Sequence, residues 1–126
     1  MPVERIASPD SFMQCIHKNK DVLCLYYWKK CGHCQDFRPI WNDVINHYKH
    51  NINIMEVELE TIRKLDSKYR INAFPTIVVY RGGQKHAEFT KQRTEKELHN
   101  FIHTHFMMPI GGRVSKPAKS TRVKKT

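Results

Sequence analysis

The apolar positions of the chain alternate between two periods, which predicts alternating strands and helices. Residues 22–28 form a continuous apolar run, which is typical of a strand that is covered on both faces. Shorter apolar or alternating segments predict further strands at residues 3–6, 53–59, 76–80 and 85–89. Apolar residues that recur every three or four positions predict helices at residues 9–18, 32–50, 61–69 and 94–106.

Local signals support several of these boundaries. Ser8 followed by Pro9 is typical of a helix start, with a capping hydroxyl and then proline at the first helical position. Thr94 and Glu97 have the spacing of a capping box. The pair Gly82-Gly83 predicts a hairpin turn between the last two strands. Pro39 lies inside the second predicted helix and should kink it.

The order of these elements predicts an α/β fold, in which a central mixed sheet is flanked by helices on both faces. A length of 126 residues suits a single domain. We assign residues 1–106 to that domain and residues 107–126 to a basic C-terminal tail. The chain has no apolar run of the roughly 20 residues that a membrane span needs. Since we find neither a secretory signal nor an ER-retention signal, we expect a cytoplasmic protein, with a tail that could direct it elsewhere as the alternative.

The formal net charge of +10 is concentrated at the C-terminus, because residues 107–126 carry six Lys or Arg and no acid. We expect the tail to be disordered from about Gly111, because it has too little apolar surface to offset its ordering entropy. One interpretation of such a tail is a solubilising end. The other is non-specific electrostatic contact with nucleic acid or another polyanion.

The motif Cys31-Gly32-His33-Cys34 carries the chemistry, because it follows the long apolar strand directly and opens a helix. Free N–H groups at a helix start favour the thiolate over the thiol, so Cys31 is the candidate nucleophile. His33, when protonated, would add positive charge beside Cys31. Cys34 lies one turn inside the helix, where a shielded thiol suits a resolving role.

A Cys-x-x-Cys pair also resembles half of a zinc site. The sequence offers no second such pair, and His99 and His103, four residues apart, have no carboxylate or thiol beside them. We therefore expect redox chemistry, with no metal and no cofactor beyond the dithiol, rather than zinc or an inert pair of surface thiols. Cys15 and Cys24 fall on apolar faces and are expected to be packing residues. A Cys15–Cys24 bridge is the alternative.

Two segments resemble the thioredoxin superfamily. Residues 28–39, Trp-Lys-Lys-Cys-Gly-His-Cys-Gln-Asp-Phe-Arg-Pro, are similar to its active-site segment, in the Cys-Gly-His-Cys form of protein disulfide isomerase catalytic domains. Residues 69–83 resemble the segment around the family's cis-proline, which would be Pro75. The resemblance covers about residues 3–106 and implies a thioredoxin fold.

The resemblance also implies a function, that of a thiol–disulfide oxidoreductase which forms, reduces or isomerises protein disulfides. Cys31 would be the nucleophile, Cys34 the resolving thiol and His33 a residue that tunes the thiolate. The implied substrate surface comprises Trp28, Lys30, Gly32, Phe74 and Pro75. Implied partners are protein or peptide disulfides and dithiols, and a redox partner that is either a reductase or a sulfhydryl oxidase.

The chain departs from the family pattern at two positions. Leu25 stands where a buried acid usually assists proton transfer to and from the inner thiol, so the resolving step needs another group or water. Lys30 replaces the aromatic residue that usually precedes the first cysteine, which predicts a bias toward acidic partners and a lower Cys31 pKa. Trp28 is a candidate to replace the lost aromatic surface. The alternative function is a non-enzymatic binding module whose tail contacts nucleic acid or an acidic partner.

Deleting residues 111–126 tests the role of the tail. We expect the truncated chain to keep its redox activity and to lose its salt-dependent affinity for polyanions, because the basic excess resides in the tail. Binding to heparin or DNA at two salt concentrations measures this affinity. Unchanged affinity after the deletion would contradict the polyanion interpretation.

Overall fold

Residues 3–107, described by the computed structural model, form one mixed sheet with helices on both faces. The strands are β1 (Glu4–Ile6), β2 (Asp21–Tyr27), β3 (Ile54–Glu58), β4 (Thr76–Arg81) and β5 (Gln84–Glu88). The helices are α1 (Pro9–Lys18), α2 (Gly32–Ile45), α3 (Leu59–Ile62) and α4 (Glu95–Ile102). A 3₁₀ turn covers Ser67–Tyr69, and a π-helical turn over His103–Met107 follows α4.

The strand order is β1-β3-β2-β4-β5, which places β2 at the centre of the sheet. β3 pairs in parallel with both β1 and β2. β4 runs antiparallel to β2, and β5 runs antiparallel to β4. The predicted mixed sheet and its element order are therefore confirmed.

Burial of β2 on both faces explains its continuous apolar run. Val22, Cys24 and Tyr26 belong to the cluster that includes Phe12 and Ile16 of α1. Leu23 and Leu25 belong to the opposite cluster. That second cluster contains most of the buried side chains of α2 and both of those of α4, namely Phe37, Trp41, Val44, Ile45, Leu98 and Ile102. Since successive side chains of a strand point to opposite faces, only an apolar run satisfies both layers.

The predicted caps are present. The Ser8 hydroxyl accepts a hydrogen bond from the Ser11 N–H at 3.1 Å, and Pro9 occupies the first turn of α1. The Thr94 hydroxyl accepts from the Glu97 N–H at 3.2 Å. Gly82 and Gly83 both have positive φ, as the tight turn between β4 and β5 requires.

Two helix boundaries differ from the prediction. α2 ends at Ile45 rather than near residue 50, because the chain tightens there into bonds such as His47 N–H to the Val44 carbonyl. The predicted helix at residues 61–69 divides into α3 and the 3₁₀ turn. Its apolar side chains Ile62, Leu65 and Tyr69 are nevertheless buried, so the spacing predicted burial correctly but not a continuous helix.

The division into a domain over residues 1–106 and a tail over residues 107–126 stays a prediction, since the structure describes residues 3–107. The tail from Met108 onward lies outside the described residues. Within the described part of the chain, no helix is long and apolar enough to cross a membrane.

Candidate active site

Cys31 lies between the end of β2 and the start of α2, where it caps the helix. Its backbone N–H donates to the Trp28 carbonyl at 3.0 Å, which closes a tight turn after the strand. Its sulfur accepts from the Cys34 N–H at 3.4 Å. The sulfur therefore occupies the N-cap position, where a helix favours a negative charge.

The pKa of Cys31 is lowered from its ordinary value of 9.0. The slight burial of the thiol acts in the opposite direction and would raise the pKa. Hydrogen bonds from Cys34 and from the His33 backbone N–H, together with the charge of Arg93, outweigh it. We predicted that the His33 ring would tune this thiolate. That role of the His33 ring stays a prediction.

Cys34 is shielded one turn inside α2. Burial raises the pKa of its thiol to about 11, although the Trp28 backbone N–H donates to its sulfur at 3.5 Å. All four cysteines are free in the structure. The helix thus supports two thiols with opposite tendencies: Cys31 favours the thiolate and Cys34 favours the thiol.

The loop that precedes β4 faces the cysteine pair. The peptide bond between Phe74 and Pro75 is cis. The Cys31 thiol donates to the Phe74 carbonyl at 3.7 Å, a contact within the range of a weak sulfur hydrogen bond. Residues about 40 positions apart in sequence therefore form one site.

The candidate substrate residues surround Cys31. Trp28 is one of two large apolar side chains that are exposed among the described residues, at 38%. Lys30 and Gly32 are also exposed beside the thiol, and Phe74 and Pro75 are half-buried. Their placement permits the substrate-binding role that the resemblance implies, and that role stays a prediction.

A cavity of about 360 Å³ lies behind Cys34. Apolar side chains from three elements line it: Leu25 and Tyr27 of β2, Phe37 of α2 and Pro75 of the cis-proline loop. Lys29, Gln35 and Arg38 provide its polar wall. Space beside a buried thiol allows water or a substrate group to reach it.

Sequence analysis missed two charged residues near the site. Arg93 precedes α4, some 60 positions after Cys31, and no local pattern indicated that the fold would bring its charge to the thiol. Glu56 lies on β3 and is only 3% exposed. An acid between apolar residues of a predicted strand was the available signal for Glu56, since a buried carboxylate needs a specific partner.

The other candidate residues take packing positions. Cys15 and Cys24 are buried, and burial raises the pKa of both thiols, to about 11 for Cys15. His99 meets the Tyr48 hydroxyl through Nδ1 at 3.0 Å. Among residues 3–107, no three or more His, Cys, Asp or Glu side chains are grouped so as to hold a metal ion.

The fold and the site together define a class of protein. In this class the central strand of a mixed sheet leads into a helix, and one thiol of a dithiol pair caps that helix. The family model for thioredoxin matches residues 3–104, and the chain belongs to the thioredoxin family. The resemblance inferred from the two sequence segments is thereby confirmed.

Relatives include both thioredoxins and disulfide isomerases. The chloroplastic thioredoxin Y1 of Arabidopsis thaliana is 33% identical over 83 residues, which cover 66% of this chain and 48% of that protein. Protein disulfide isomerase-like 1-3 of the same plant is 30% identical over 106 residues, covering 82% of this chain and 18% of that protein. The chain therefore spans about half of the first relative and about a fifth of the second.

Solved structures confirm the thioredoxin fold. The J-Trx1 fragment of ERdj5 matches with a TM-score of 0.74 at 19% identity, over 84% of this chain and 52% of that one. The oxidised thioredoxin from Plasmodium falciparum matches with a TM-score of 0.69 at 20% identity, over 82% of this chain and 98% of that one. At these identities the likeness is one of fold.

The charge of Arg93 can be tested through the pH dependence of Cys31 alkylation. We expect Arg93→Gln to raise the pH midpoint of the reaction with iodoacetamide, because a cation that favours the thiolate is lost. At pH 7 the reaction should slow by about twofold or more, since surface charges are partly screened.

Lys91→Gln is the matched control, because it removes one exposed positive charge two positions away. Mass spectrometry of the alkylated peptide identifies the cysteine that reacted. Equal midpoints in wild type and Arg93→Gln would show that Arg93 does not act on Cys31.

Proposed function

We propose that the chain is a thiol–disulfide oxidoreductase that acts through Cys31 and Cys34. The observation that carries this proposal is the position of the Cys31 sulfur at the N-cap of α2, where its pKa is lowered, one turn from a thiol whose pKa is raised. A low-pKa, accessible thiolate is the attacking group in disulfide exchange. Relatives among the thioredoxins and disulfide isomerases support the same chemistry.

In the reducing direction the Cys31 thiolate attacks one sulfur of a substrate disulfide. The substrate S–S bond breaks, and the departing sulfur leaves as a thiolate that takes up a proton from water. Cys34 then loses its proton and attacks the Cys31 sulfur of the mixed disulfide. The second substrate thiol leaves, the Cys31–Cys34 disulfide forms, and two electrons have passed to the substrate.

The same steps in reverse oxidise a substrate dithiol. If a second thiol of the substrate attacks the mixed disulfide instead of Cys34, the substrate disulfide is isomerised. A leaving thiolate that the protein stabilises makes the Cys31–Cys34 disulfide a stronger oxidant. The lowered Cys31 pKa therefore favours oxidation and isomerisation. A sulfhydryl oxidase would then regenerate the disulfide, whereas a reductase would regenerate the dithiol in the opposite direction.

We further propose that the substrates are extended protein segments with acidic character. The Phe74 carbonyl lies beside the Cys31 thiol, so an extended segment that pairs with this backbone brings its own sulfur to Cys31. Trp28 offers exposed apolar surface on the same side. Lys29, Lys30 and Arg93 make the rim basic.

Trapping of intermediates tests the enzymatic proposal. Cys34→Ala should accumulate mixed disulfides with substrate proteins, because Cys31 can still attack while nothing resolves the product. Cys31→Ala should form none and should lose insulin reduction. Non-reducing electrophoresis followed by mass spectrometry detects the trapped species.

Cys15→Ala is the matched control, because it removes a buried thiol outside the site and should behave as wild type. The absence of trapped species, of insulin reduction and of oxidative refolding of a reduced protein would contradict the proposal. That result would favour the alternative of a non-enzymatic binding module.

The direction of the reaction depends on the reduction potential of the Cys31–Cys34 pair. We expect a value above the approximately −270 mV of a typical thioredoxin. His33→Pro should lower the potential, because proline removes a backbone N–H that favours the Cys31 thiolate. Equilibration against a glutathione buffer measures both proteins, and a thioredoxin-like wild-type value would instead favour a reductase.

A further inference from the structure

Glu56 is a buried carboxylate that the exchange steps above do not use. It lies on β3 directly opposite Leu25 of β2, in parallel register. Its side chain lies on the face of the sheet that α2 covers, because the indole of Trp41 on that helix binds it. The acid is thus placed beneath the helix that carries both reactive thiols.

Two side chains of α2 bind the same oxygen of Glu56. The Trp41 indole N–H donates to Oε2 at 2.7 Å, and an Arg38 Nη lies 2.9 Å from the same atom. Arg5 lies 3.7 Å from Oε1, but its own side chain is 80% exposed. The Glu56 carboxylate is held in place by the indole and the guanidinium. In turn it holds the guanidinium of Arg38 in place.

Arg38 also lines the same cavity as the inner thiol. It follows Cys34 by four residues on α2, so the two side chains lie one turn apart on the same side of the helix. Both line the cavity of about 360 Å³, together with Leu25 and Pro75. The guanidinium lies 4.8 Å from the centre of the Tyr27 ring, which supports it from β2.

The inner thiol needs such a cation. Burial raises the pKa of Cys34 to about 11, so only a small fraction is thiolate at neutral pH. The hydrogen bond from the Trp28 N–H and, more weakly, the charge of Arg38 act in the opposite direction and lower the pKa. A charge held in a partly buried wall acts more strongly than the same charge in bulk water.

We propose that Arg38, held in place by Glu56, is a positioning residue for the resolving step and stabilises the Cys34 thiolate that attacks the mixed disulfide. The proposal rests on the proposed function. Cys34 gives its proton to water, its thiolate bonds to the Cys31 sulfur, and the substrate thiolate leaves and takes a proton from water. Arg38 keeps its own proton and charge throughout.

Other charged and titratable groups also face Cys34, and they come from three parts of the fold. Cys31 lies at the start of the same helix, and Tyr27 and Lys29 line the cavity from the end of β2 and the turn that follows it. The cis-proline loop contributes Phe74 and Pro75, which carry no titratable group. Arg38 differs from Lys29 in its anchor, because Glu56 binds it from beneath while Lys29 is exposed.

Ellman's reagent separates the two steps in the full reduced chain. Attack by Cys31 releases one nitrothiobenzoate and leaves a second as a mixed disulfide, which Cys34 then releases. Stopped-flow absorbance from pH 5 to 9 therefore gives a first phase for Cys31 and a second phase for Cys34. Cys34→Ala identifies the second phase by losing it.

Arg38→Met should leave the first phase at the wild-type rate and slow the second by about threefold at pH 7, with its pH midpoint raised, because Glu56 partly offsets the charge that is lost. Arg38→Lys should restore most of the rate, because it restores the charge. Glu56→Gln should also slow the second phase, because the displacement of the unanchored guanidinium outweighs the loss of the negative charge of the carboxylate. Arg63→Met is the matched control at an exposed arginine and should behave as wild type.

Arg38→Met leaves Glu56 without its nearest cation and can unfold the chain, so Arg38→Met/Glu56→Gln is the second variant. It removes both charges and should keep the slow second phase. The proposal would be overturned if the second phase were unchanged or faster without Arg38. It would also be overturned if the second phase slowed with no shift in its pH midpoint. A Glu56→Gln chain that resolves at the wild-type rate would overturn the role of Glu56.

The proposed function fails in a different way. If the wild-type chain released only one nitrothiobenzoate, Cys34 would not resolve at all, and the oxidoreductase itself would be overturned. A normal second phase in wild type with no effect of Arg38 would leave the oxidoreductase in place and remove only the positioning role.

Discussion

The site depends on the burial of β2 between two helical layers. Both faces of this strand carry apolar side chains, and it pairs with β3 on one side and β4 on the other. Because neighbouring strands and helices hold β2 in position, the end of β2 and the start of α2 are held in position as well. Cys31 caps that helix, while the cis-proline loop that leads into β4 brings Phe74 to the same edge of the sheet.

One helix gives two thiols different chemistry largely through their positions at its start. At the N-cap, the Cys31 sulfur meets backbone donors and solvent, and its pKa falls. One turn further in, Cys34 meets the apolar wall of the cavity, and burial raises its pKa. Backbone donors at the start of the helix lower the pKa of Cys31, whereas burial dominates at Cys34, and this difference separates the nucleophile from the resolving thiol.

Sequence patterns predicted the features that local physics determines. The period of apolar residues located the strands, Ser8 and Thr94 marked helix starts, and Cys31 was identified at the start of α2. Arg93 was missed because its proximity to Cys31 arises only when α4 packs on the sheet. The end of α2 at Ile45 was also missed, since the apolar period continues past the point where the chain turns.

The role of Glu56 shows why stability and reactivity are linked in this fold. A carboxylate that is 3% exposed is costly to bury without partners. Its partners, Arg38 and Trp41, both belong to α2, so the ion pair fastens that helix to β3. Since Arg38 also lines the cavity with Cys34, the interaction that secures the helix sets the charge beside the inner thiol. Leu25, opposite Glu56 on β2, can therefore remain apolar and pack the core, while the charged groups that act on the thiol come from the helix and the neighbouring strand.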